Sequence, residues 1–250
     1  MLKVILSGCS GKMGGVITSI INADENAKIV AGVDPYVRED LGYPVYPTFD
    51  NLPESDVIID FSNPAALYDM INYATNTKTP IVVATTGYND NEIELIKETA
   101  RDIPVFFTFN MSLGINLLVS LCQKATEILG NDFDIEIVEK HHNQKIDAPS
   151  GTAIMLANSI NETLDNKMIY EYDRHSKRQK RTKNDIGISS IRGGTIVGEH
   201  EVIFAGNNEV ISLNHQAFSK DVFAFGAVKA AKFLANKPAG LYDMKQVVNT

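Results

Sequence analysis

The sequence predicts an α/β protein in which a doubly wound parallel sheet is joined to an inserted α+β domain with a mixed sheet, largely buried on one face. Three features of the 250-residue chain support this prediction. The first half alternates short, continuous apolar runs with helical stretches, as a parallel sheet covered on both faces requires. Later strands alternate apolar with polar residues, which indicates a single buried face. An alanine-rich helix then follows near the end of the chain.

Five buried strands are predicted in the first half from β-branched runs. These runs are "KVILSG", "KIVAGVD", "DVIIDFS", "PIVVATTG" and "IPVFFTFN". Helices are predicted between them at Lys12–Asn22, Ala65–Asn76 and Asn91–Arg101, where apolar residues recur at helical spacing. This alternation of strands and helices is typical of a doubly wound nucleotide-binding domain.

The pattern changes after the segment "FNMSLGIN". A long helix is predicted at Ile115–Leu129, followed by the alternating strand "DFDIEIVEK". More alternating strands are expected within Asp185–Ala217, with Gly-Gly and Asn-Asn pairs at the turns, and a helix begins at Val222. These changes divide the chain into a dinucleotide-binding domain of residues 1–110 and 217–250 and an inserted domain of residues 111–216.

Composition and charge limit the classes of protein to consider. The net charge of -8 argues against a nucleic-acid-binding protein. The first residues do not form a signal-peptide pattern, and no run approaches the roughly 20 apolar residues of a membrane span, so we expect no membrane partner. Cys9 and Cys122 are too few for a disulfide framework or a thiolate metal site, and the expected compartment is a reducing cytoplasm.

One basic run, "RHSKRQKRTK" at Arg174–Lys183, contrasts with the acidic average. Six of its residues are lysine or arginine, and one is histidine. A polyanion site and a solvated loop are the two interpretations. The loop is favoured because no aromatic or apolar residue interrupts the run to make a stacking surface.

A glycine-rich loop, "GCSGKMG" at Gly8–Gly14, lies between the first strand and the first helix. In a Rossmann-like fold such a loop allows a tight turn and lets the backbone approach a pyrophosphate, which the N-terminus of the helix stabilises. The GxxGxxG spacing is looser than GxGxxG, so tight packing without a ligand is the alternative.

Asp34 ends the second strand, where a dinucleotide-binding fold places an acid on the adenine ribose. An aspartate that starts a turn with Pro35 is the alternative. An acid favours NAD, whereas Lys12 could attract the 2'-phosphate of NADP, so the cofactor preference stays open. Two further strand ends would lie at the same edge of the sheet, near the nicotinamide. Thr85 and Thr86, in one of them, could equally bond local backbone groups.

The stretch "EKHHNQKIDAPSGTA", Glu139–Ala153, has the residues of an anion site. His141 and His142 fall where a strand gives way to a loop, so their side chains point in different directions. Ser150 is a predicted N-cap, and the first helical turn at Gly151 and Thr152 suits a carboxylate. The stretch therefore predicts a pocket for an anionic substrate with an acid/base and the Lys145 cation nearby. A surface histidine pair is one alternative. A metal site is another, although neither His200 nor His215 has the spacing of a third ligand.

This stretch resembles the signature of the 4-hydroxy-tetrahydrodipicolinate reductase family, also called dihydrodipicolinate reductases. The resemblance extends over nearly the whole chain, through "GCSGKMG", "ATTGY", "NMSLGIN", "SSIRGGTIVGEHEVIF" and "FAFGAVKAAKFL". It implies an enzyme that uses NADH or NADPH to reduce a cyclic dicarboxylate on the diaminopimelate route to lysine, giving tetrahydrodipicolinate. It also implies a homotetramer built through the sheet of the inserted domain, which would then bind substrate and mediate oligomerisation.

The resemblance assigns roles to individual residues. His141 matches the family's proton donor/acceptor, and Lys145 its second proton donor and carboxylate anchor. His142, Gly151 and Thr152 match substrate-binding positions. The implied cofactor contacts are Gly8, Cys9, Ser10, Gly11, Lys12 and Met13 on the pyrophosphate, Asp34 on the ribose, and Ala84, Thr85, Thr86, Thr108, Phe109, Asn110 and Met111 near the nicotinamide.

Two positions depart from the family pattern. Pro35 follows the ribose acid where some members have an arginine for the 2'-phosphate, while Lys12 stands where a basic residue is often found, so use of both cofactors is plausible. Lys220 replaces a common arginine. Two other functions stay open on the glycine loop alone: another small nicotinamide dehydrogenase, and a regulator that binds NAD(P)H without turnover.

Overall fold

The computed structural model describes residues 1–36 and 40–248. The chain forms two compact units. The first unit comprises Met1–Leu113 and Asp221–Thr250, and the second comprises Gly114–Lys220.

Twelve strands and seven α-helices follow one another in the described residues. The strands are β1 (Leu2–Ser7), β2 (Ala27–Val33), β3 (Val45–Tyr46), β4 (Val57–Asp60), β5 (Ile81–Val83), β6 (Pro104–Phe107), β7 (Asp134–His141), β8 (Ile169–Glu171), β9 (Asp185–Arg192), β10 (Gly198–Ala205), β11 (Val210–Ala217) and β12 (Gly240–Tyr242). The helices are α1 (Lys12–Asn22), α2 (Leu67–Thr77), α3 (Asp90–Thr99), α4 (Leu113–Leu129), α5 (Gly151–Thr163), α6 (Asp221–Leu234) and α7 (Met244–Val248).

The first unit is built on a seven-stranded sheet in the order β12-β6-β5-β4-β1-β2-β3, and every pair is parallel. Helices α1, α6 and α7 cover one face, and α2 and α3 cover the other. Strands β4 and β5 are buried along their whole length, which explains their continuous apolar runs. The predicted doubly wound sheet is confirmed. The short strands β3 and β12 at its two edges were not predicted.

Close packing fixes the glycine loop between β1 and α1. Gly8 has a positive φ of 78°, and a Cβ there would lie 2.2 Å from the carbonyl oxygen of Phe61. A Cβ on Gly14, inside α1, would lie 2.4 Å from the carbonyl oxygen of Gly8. The first turn of the helix therefore packs directly on the loop, and these two positions require glycine whether or not a ligand binds.

The second unit is built on a five-stranded mixed sheet in the order β11-β10-β7-β9-β8. Strand β7 pairs antiparallel with β10 and parallel with β9. Helices α4 and α5 pack on one face, which we call the inner face, around Ile135, Ile137 and Phe204. The mixed sheet with one buried face is confirmed, and together the two sheets confirm the predicted fold class.

The inner face becomes polar where β7 ends. Glu139 of β7 is opposite His200 of β10, and His200 is opposite His215 of β11. Glu139 is fully buried and His200 is 4% exposed. Burial lowers the pKa of His200 to about 4, so this imidazole is neutral at pH 7.

As favoured from the sequence, the basic run forms an exposed loop, in which only Arg181 is half-buried, and its cations pair with acids of the second unit. Arg181 pairs with Glu136 at 2.7 Å, and Arg174 pairs with Asp185 at 3.2 Å. Lys183 and Lys177 pair with Asp134 and Glu171 respectively. Four of its six cations thus have acidic partners on β7, β8 and β9, so much of its charge is compensated by this fold. Neither sequence interpretation anticipated this pairing.

No helix among residues 1–36 and 40–248 is long and apolar enough to cross a membrane.

Adjacent glycines of α1 provide a matched test of the packing. Gly14→Ala should destabilise the chain by about 1–3 kcal/mol or more, because the added methyl meets backbone oxygens. Gly15→Ala should stabilise it by about 0.5–1 kcal/mol, because a Cβ at that exposed helical position meets no atom within 4 Å. Denaturant unfolding measures both. Equal effects of the two substitutions would contradict this account of the loop.

The buried His200 should make stability depend on pH. An unfolded chain protonates this histidine near pH 6.5, whereas the folded chain does so only at about 4. The unfolded state therefore binds more protons between these values, and the folded state loses about 2 kcal/mol from this group as pH falls from 7 to 5. His200→Gln, which retains a group for the Ser150 hydroxyl, should reduce the loss by that amount in denaturant unfolding at the two pH values. An unchanged loss in the variant would show that His200 is not the group responsible.

Candidate active site

The glycine loop of the first unit presents backbone N–H groups at the start of α1. Gly11 is the N-cap residue of that helix and has no side chain to cap the N–H groups that follow. Lys12 is exposed, whereas Cys9 is 1% exposed and its sulfur packs against Gly32. Cys9 can therefore contact a cofactor only through its main chain. An uncapped helix start with a cation beside it suits a phosphate group.

Asp34 connects the end of β2 to this loop. Its carboxylate accepts hydrogen bonds from the backbone N–H groups of Ser10 at 3.1 Å and Tyr36 at 2.9 Å. The second bond is the turn that the sequence offered as an alternative to ribose binding. The side chain is only half-buried, so the carboxylate can both hold the loop and face a ribose hydroxyl.

The strand ends predicted to lie near a nicotinamide are at one edge of the sheet, because β5 and β6 are parallel to β1. Thr85 is buried, and its hydroxyl accepts a hydrogen bond at 2.8 Å from the backbone of Ser62, which is distant in the chain, rather than from a local backbone group. Thr86 is exposed. Phe109 is 77% exposed, whereas Met111 is 4% exposed and belongs to the core of the first unit.

The remaining predicted contacts at this edge differ in exposure. Ala84 is buried, and Thr108 and Asn110 are half-buried with a hydrogen bond between the Thr108 hydroxyl and the Asn110 backbone.

Sequence reasoning missed Asp60, the last residue of β4 at the same edge. It is 1% exposed and accepts hydrogen bonds from Ser62 Oγ at 2.5 Å and the Tyr88 hydroxyl at 3.3 Å. Burial raises the pKa of Asp60, and hydrogen bonds from neighbouring hydroxyl groups offset this effect only in part. An acid directly after the apolar run "VII" was the available signal.

The second unit contains an ion pair between a buried glutamate and a half-buried arginine at the end of its sheet. Glu139 on β7 accepts from Arg192 on β9, with Nη1 2.8 Å from Oε2 and Nη2 2.7 Å from Oε1. Its Oε1 also accepts from the Ser150 backbone N–H at 3.2 Å. Burial alone would raise the pKa of Glu139, but hydrogen bonds from Arg192, Ser190 and His141 outweigh it and hold that pKa at about 2. Glu139 is therefore ionised at pH 7.

His141 is the last residue of β7, two positions beyond Glu139 and on the same face. Its Nδ1 lies 2.5 Å from Glu139 Oε2, and its ring meets the His200 ring edge to face with centroids 5.2 Å apart. Burial lowers the pKa of His141, while the Glu139 carboxylate opposes that effect. An imidazole held by a carboxylate at one ring nitrogen has the other nitrogen available for proton transfer.

A turn after β7 carries the other predicted residues. The Lys145 N–H donates to the His142 carbonyl at 3.1 Å, and Lys145 Nζ lies 2.8 Å from Asp147 Oδ1. Lys145 lowers the pKa of Asp147. The ring of His142 has no hydrogen bond within the described part of the chain. The turn therefore holds a lysine whose charge is paired with Asp147 and a histidine whose ring can bind a ligand.

Ser150 caps α5 as predicted, since its hydroxyl accepts from the Ala153 N–H at 3.1 Å. The same hydroxyl lies 3.0 Å from His200 Nε2. Gly151 is exposed, a Cβ there would meet nothing within 4 Å, and Thr152 follows in the first turn. Gly151 therefore places no side chain in the way of an anion at this helix start.

The second unit brings together all five residues predicted from the histidine stretch. It adds four residues to which the sequence gave no role: Glu139, Asp147, Arg192 and His200. The alternation along β7 was the signal for Glu139, because it puts an acid on the face that is otherwise apolar.

Two other features do not compete with this site. A cavity of about 660 Å³ lies between the loop before β4 and the end of α2, at the edge of the sheet opposite the glycine loop. In the described ranges, no three histidine, cysteine, aspartate or glutamate residues are grouped to hold a metal ion.

Comparison with known proteins gives consistent relatives for both units. The family model "Dihydrodipicolinate reductase, N-terminus" matches residues 2–111, and "Dihydrodipicolinate reductase, C-terminus" matches residues 114–248. The 4-hydroxy-tetrahydrodipicolinate reductase of Clostridium tetani is 48% identical over 251 residues, with 100% of this chain and 98% of the relative covered. That of Caldanaerobacter subterraneus subsp. tengcongensis is 49% identical over 249 residues, with 99% and 98% covered.

Solved structures share the fold. A dipicolinate-bound dihydrodipicolinate reductase from Paenisporosarcina sp. TG-14 superposes with a TM-score of 0.81 at 23% identity, covering 97% of both chains. A myo-inositol dehydrogenase from Corynebacterium glutamicum gives a TM-score of 0.61 at 14% identity, covering 100% of this chain and 93% of the other. The relatives that match over the full length at nearly half identity are 4-hydroxy-tetrahydrodipicolinate reductases, and both family models agree with them. The chain therefore belongs to the dihydrodipicolinate reductase family.

Proposed function

We propose that this protein uses NADH or NADPH to reduce 4-hydroxy-tetrahydrodipicolinate (dihydrodipicolinate) to tetrahydrodipicolinate in the diaminopimelate route of lysine biosynthesis. The observation that carries the proposal is His141 bonded to the ionised Glu139, beside Lys145 and the open start of α5, in a chain of this family. This arrangement supplies a proton donor and cationic or N–H partners for carboxylates.

The first unit fits a nicotinamide dinucleotide. The backbone N–H groups at the uncapped start of α1 and the Lys12 cation would hold the pyrophosphate. The exposed Thr86 and Phe109 lie at the carboxyl edge of the sheet, where ligands bind in such folds. A bound reduced nicotinamide supplies the hydride.

The second unit fits the dicarboxylate. Lys145 and the first N–H groups of α5, at Gly151 and Thr152, bind carboxylate oxygens, and the His142 ring adds a further donor. Hydride addition to a conjugated C=C–C=N system increases electron density at the ring nitrogen and the neighbouring carbon. His141 and Lys145 then deliver the proton that quenches it.

The cofactor preference rests on two residues of the first unit. Asp34 faces a ribose hydroxyl and disfavours a 2'-phosphate, whereas the exposed Lys12 attracts one. We therefore propose that both cofactors are used.

The outer face of the mixed sheet is the proposed site of tetramer formation. Both helices of the second unit pack on the inner face, which leaves Val138 and Ile203 half-buried and Ile191 46% exposed on the opposite face. Apolar residues on a sheet face without a helix suit an interface with another copy of the chain.

We also propose a cytoplasmic location, because Cys9 and Cys122 are both free thiols within the core of their units.

The reaction should be seen as a substrate-dependent loss of reduced-nicotinamide absorbance, measured with the enzymatically generated cyclic substrate and with NADH and NADPH in parallel. A protein that binds NAD(P)H but shows no such loss with either would be a nucleotide-binding regulator, and the proposal would be wrong.

His141→Gln and Lys145→Ala should each lower kcat in that assay by about 10²–10⁴-fold, because each removes a proton donor. Lys145→Ala should also raise KM, since it removes a carboxylate anchor. The Kd for NADH should be nearly unchanged in both. His175→Gln and Lys180→Ala, at exposed positions of the basic run, are matched controls that should retain wild-type kinetics. Unchanged turnover in both active-site variants would remove the assigned roles.

The assembly can be tested by light scattering. The wild-type protein should have a mass of about 110 kDa, four times the 27.5 kDa chain. Ile191→Glu should lower that mass, because it places a charge in the proposed interface, whereas Ile128→Glu on α4, where the side chain is 71% exposed, should not. A tetramer unaffected by Ile191→Glu would place the interface elsewhere.

A further inference from the structure

We propose that Glu139, locked by Arg192, is the positioning residue for the His141 proton donor: it fixes the imidazole with the proton on Nδ1 and leaves Nε2 to exchange protons with the substrate. The inference rests on the proposed function and extends it to residues outside the substrate contacts.

The hydrogen bond to Glu139 defines the tautomer of His141. An ionised carboxylate only accepts hydrogen bonds, so the Nδ1 atom, 2.5 Å from Oε2, must carry a hydrogen. Neutral His141 then has its lone pair on Nε2. This Nε2 has no hydrogen-bond partner in residues 1–36 and 40–248. It lies on the side of Gly198, where an added Cβ would come within 3.1 Å of it.

The carboxylate is itself held at both oxygens. Arg192 occupies Oε1 and Oε2 through its two terminal nitrogens, and the Ser150 N–H bonds Oε1. Glu139 is fully buried, so no water competes for these positions. A ring bonded to such a carboxylate has one orientation available.

Arg192 extends the same network to the second proton donor. Its Nη2 donates to the Asp147 carbonyl at 2.7 Å, and the Asp147 carboxylate bonds Lys145 at 2.8 Å. The Glu139–Arg192 pair therefore joins the ends of β7 and β9, the turn with Lys145 and the start of α5. One buried pair sets the relative positions of both proton donors and the anion-binding turn.

Several charged or titratable groups face His141. They are Glu139 on its own strand, Arg192 on β9, His200 on β10 with His215 behind it on β11, and Lys145 with Asp147 in the turn. Glu139 favours the imidazolium, whereas Arg192 and Lys145 disfavour it. Removing Glu139 and removing Arg192 should consequently move the pKa of His141 in opposite directions, an effect that general loosening of the structure would not produce.

The test uses Glu139→Gln, Arg192→Gln and the double variant on the full chain. Imidazole ¹⁵N spectra of the free protein, with no substrate, should show wild-type His141 in the Nδ1–H form. Glu139→Gln should give mixed tautomers, because its amide can either accept a hydrogen bond from Nδ1 or donate one to it. It should also lower the pKa of His141, because the carboxylate that favours the imidazolium is gone. Arg192→Gln should retain the tautomer and raise that pKa. The double variant removes both charges of the Glu139–Arg192 pair together. It should therefore fold even if one of the single variants, which leaves an unpaired charge, does not.

Kinetics give the second readout. Glu139→Gln should lower kcat by about 10²-fold with an unchanged Kd for NADH. As pH rises, the kcat of this variant should begin to fall at a lower pH than that of the wild type, because its His141 imidazolium loses its proton at a lower pH. Arg192→Gln should move this limb to higher pH.

The inference would be overturned by an unchanged His141 tautomer and pKa in Glu139→Gln, or by shifts of the same sign in the two single variants. Absence of turnover in the wild-type protein would instead overturn the proposed function, while the spectra of the free protein would still decide the role of Glu139.

Discussion

The ion pair between the buried Glu139 and the half-buried Arg192 is the constraint on which the second unit depends. Two charges at the end of an apolar sheet face are costly to bury, and replacing such a pair by apolar residues is often neutral or stabilising. Its value here is geometric. Glu139 and Arg192 are near the ends of parallel neighbouring strands, and their remaining bonds reach the backbone of Asp147 and Ser150. The turn and the helix start are thereby fixed against the sheet.

The first unit is organised by close backbone approach rather than by charge. Gly8 and Gly14 let the loop, α1 and the segment after β4 come within a distance that no side chain permits. Asp34 then bonds the Ser10 N–H across the loop. The residues of the proposed phosphate site thus also take part in the packing of the fold. Glycine at these positions is explained by packing, and ligand binding uses a surface that the packing has already formed.

Much of the charge of the second unit is compensated internally. The cations of the basic run pair with acids on β7, β8 and β9, and Lys145 pairs with Asp147. The pair at Lys145 differs in being at the proposed substrate site. A lysine held by one carboxylate can transfer its hydrogen bonds to another, so an arriving dicarboxylate has a positioned partner.

The sequence by itself determined the fold class and the order of the main elements, and it predicted the proposed substrate site in the histidine stretch. Local rules sufficed: continuous apolar runs for β4 and β5, alternation for β7, and a serine before a helical stripe for the cap at Ser150. The sequence did not predict the short edge strands β3 and β12, because two or three residues are too few to show an alternating or continuous apolar pattern. The tertiary structure alone decided that Arg192 meets Glu139, that Asp60 is buried among hydroxyls, and that His200 lies beside His141. Arg192 and His200 are far from Glu139 and His141 in the chain, and only the register of paired strands brings them together.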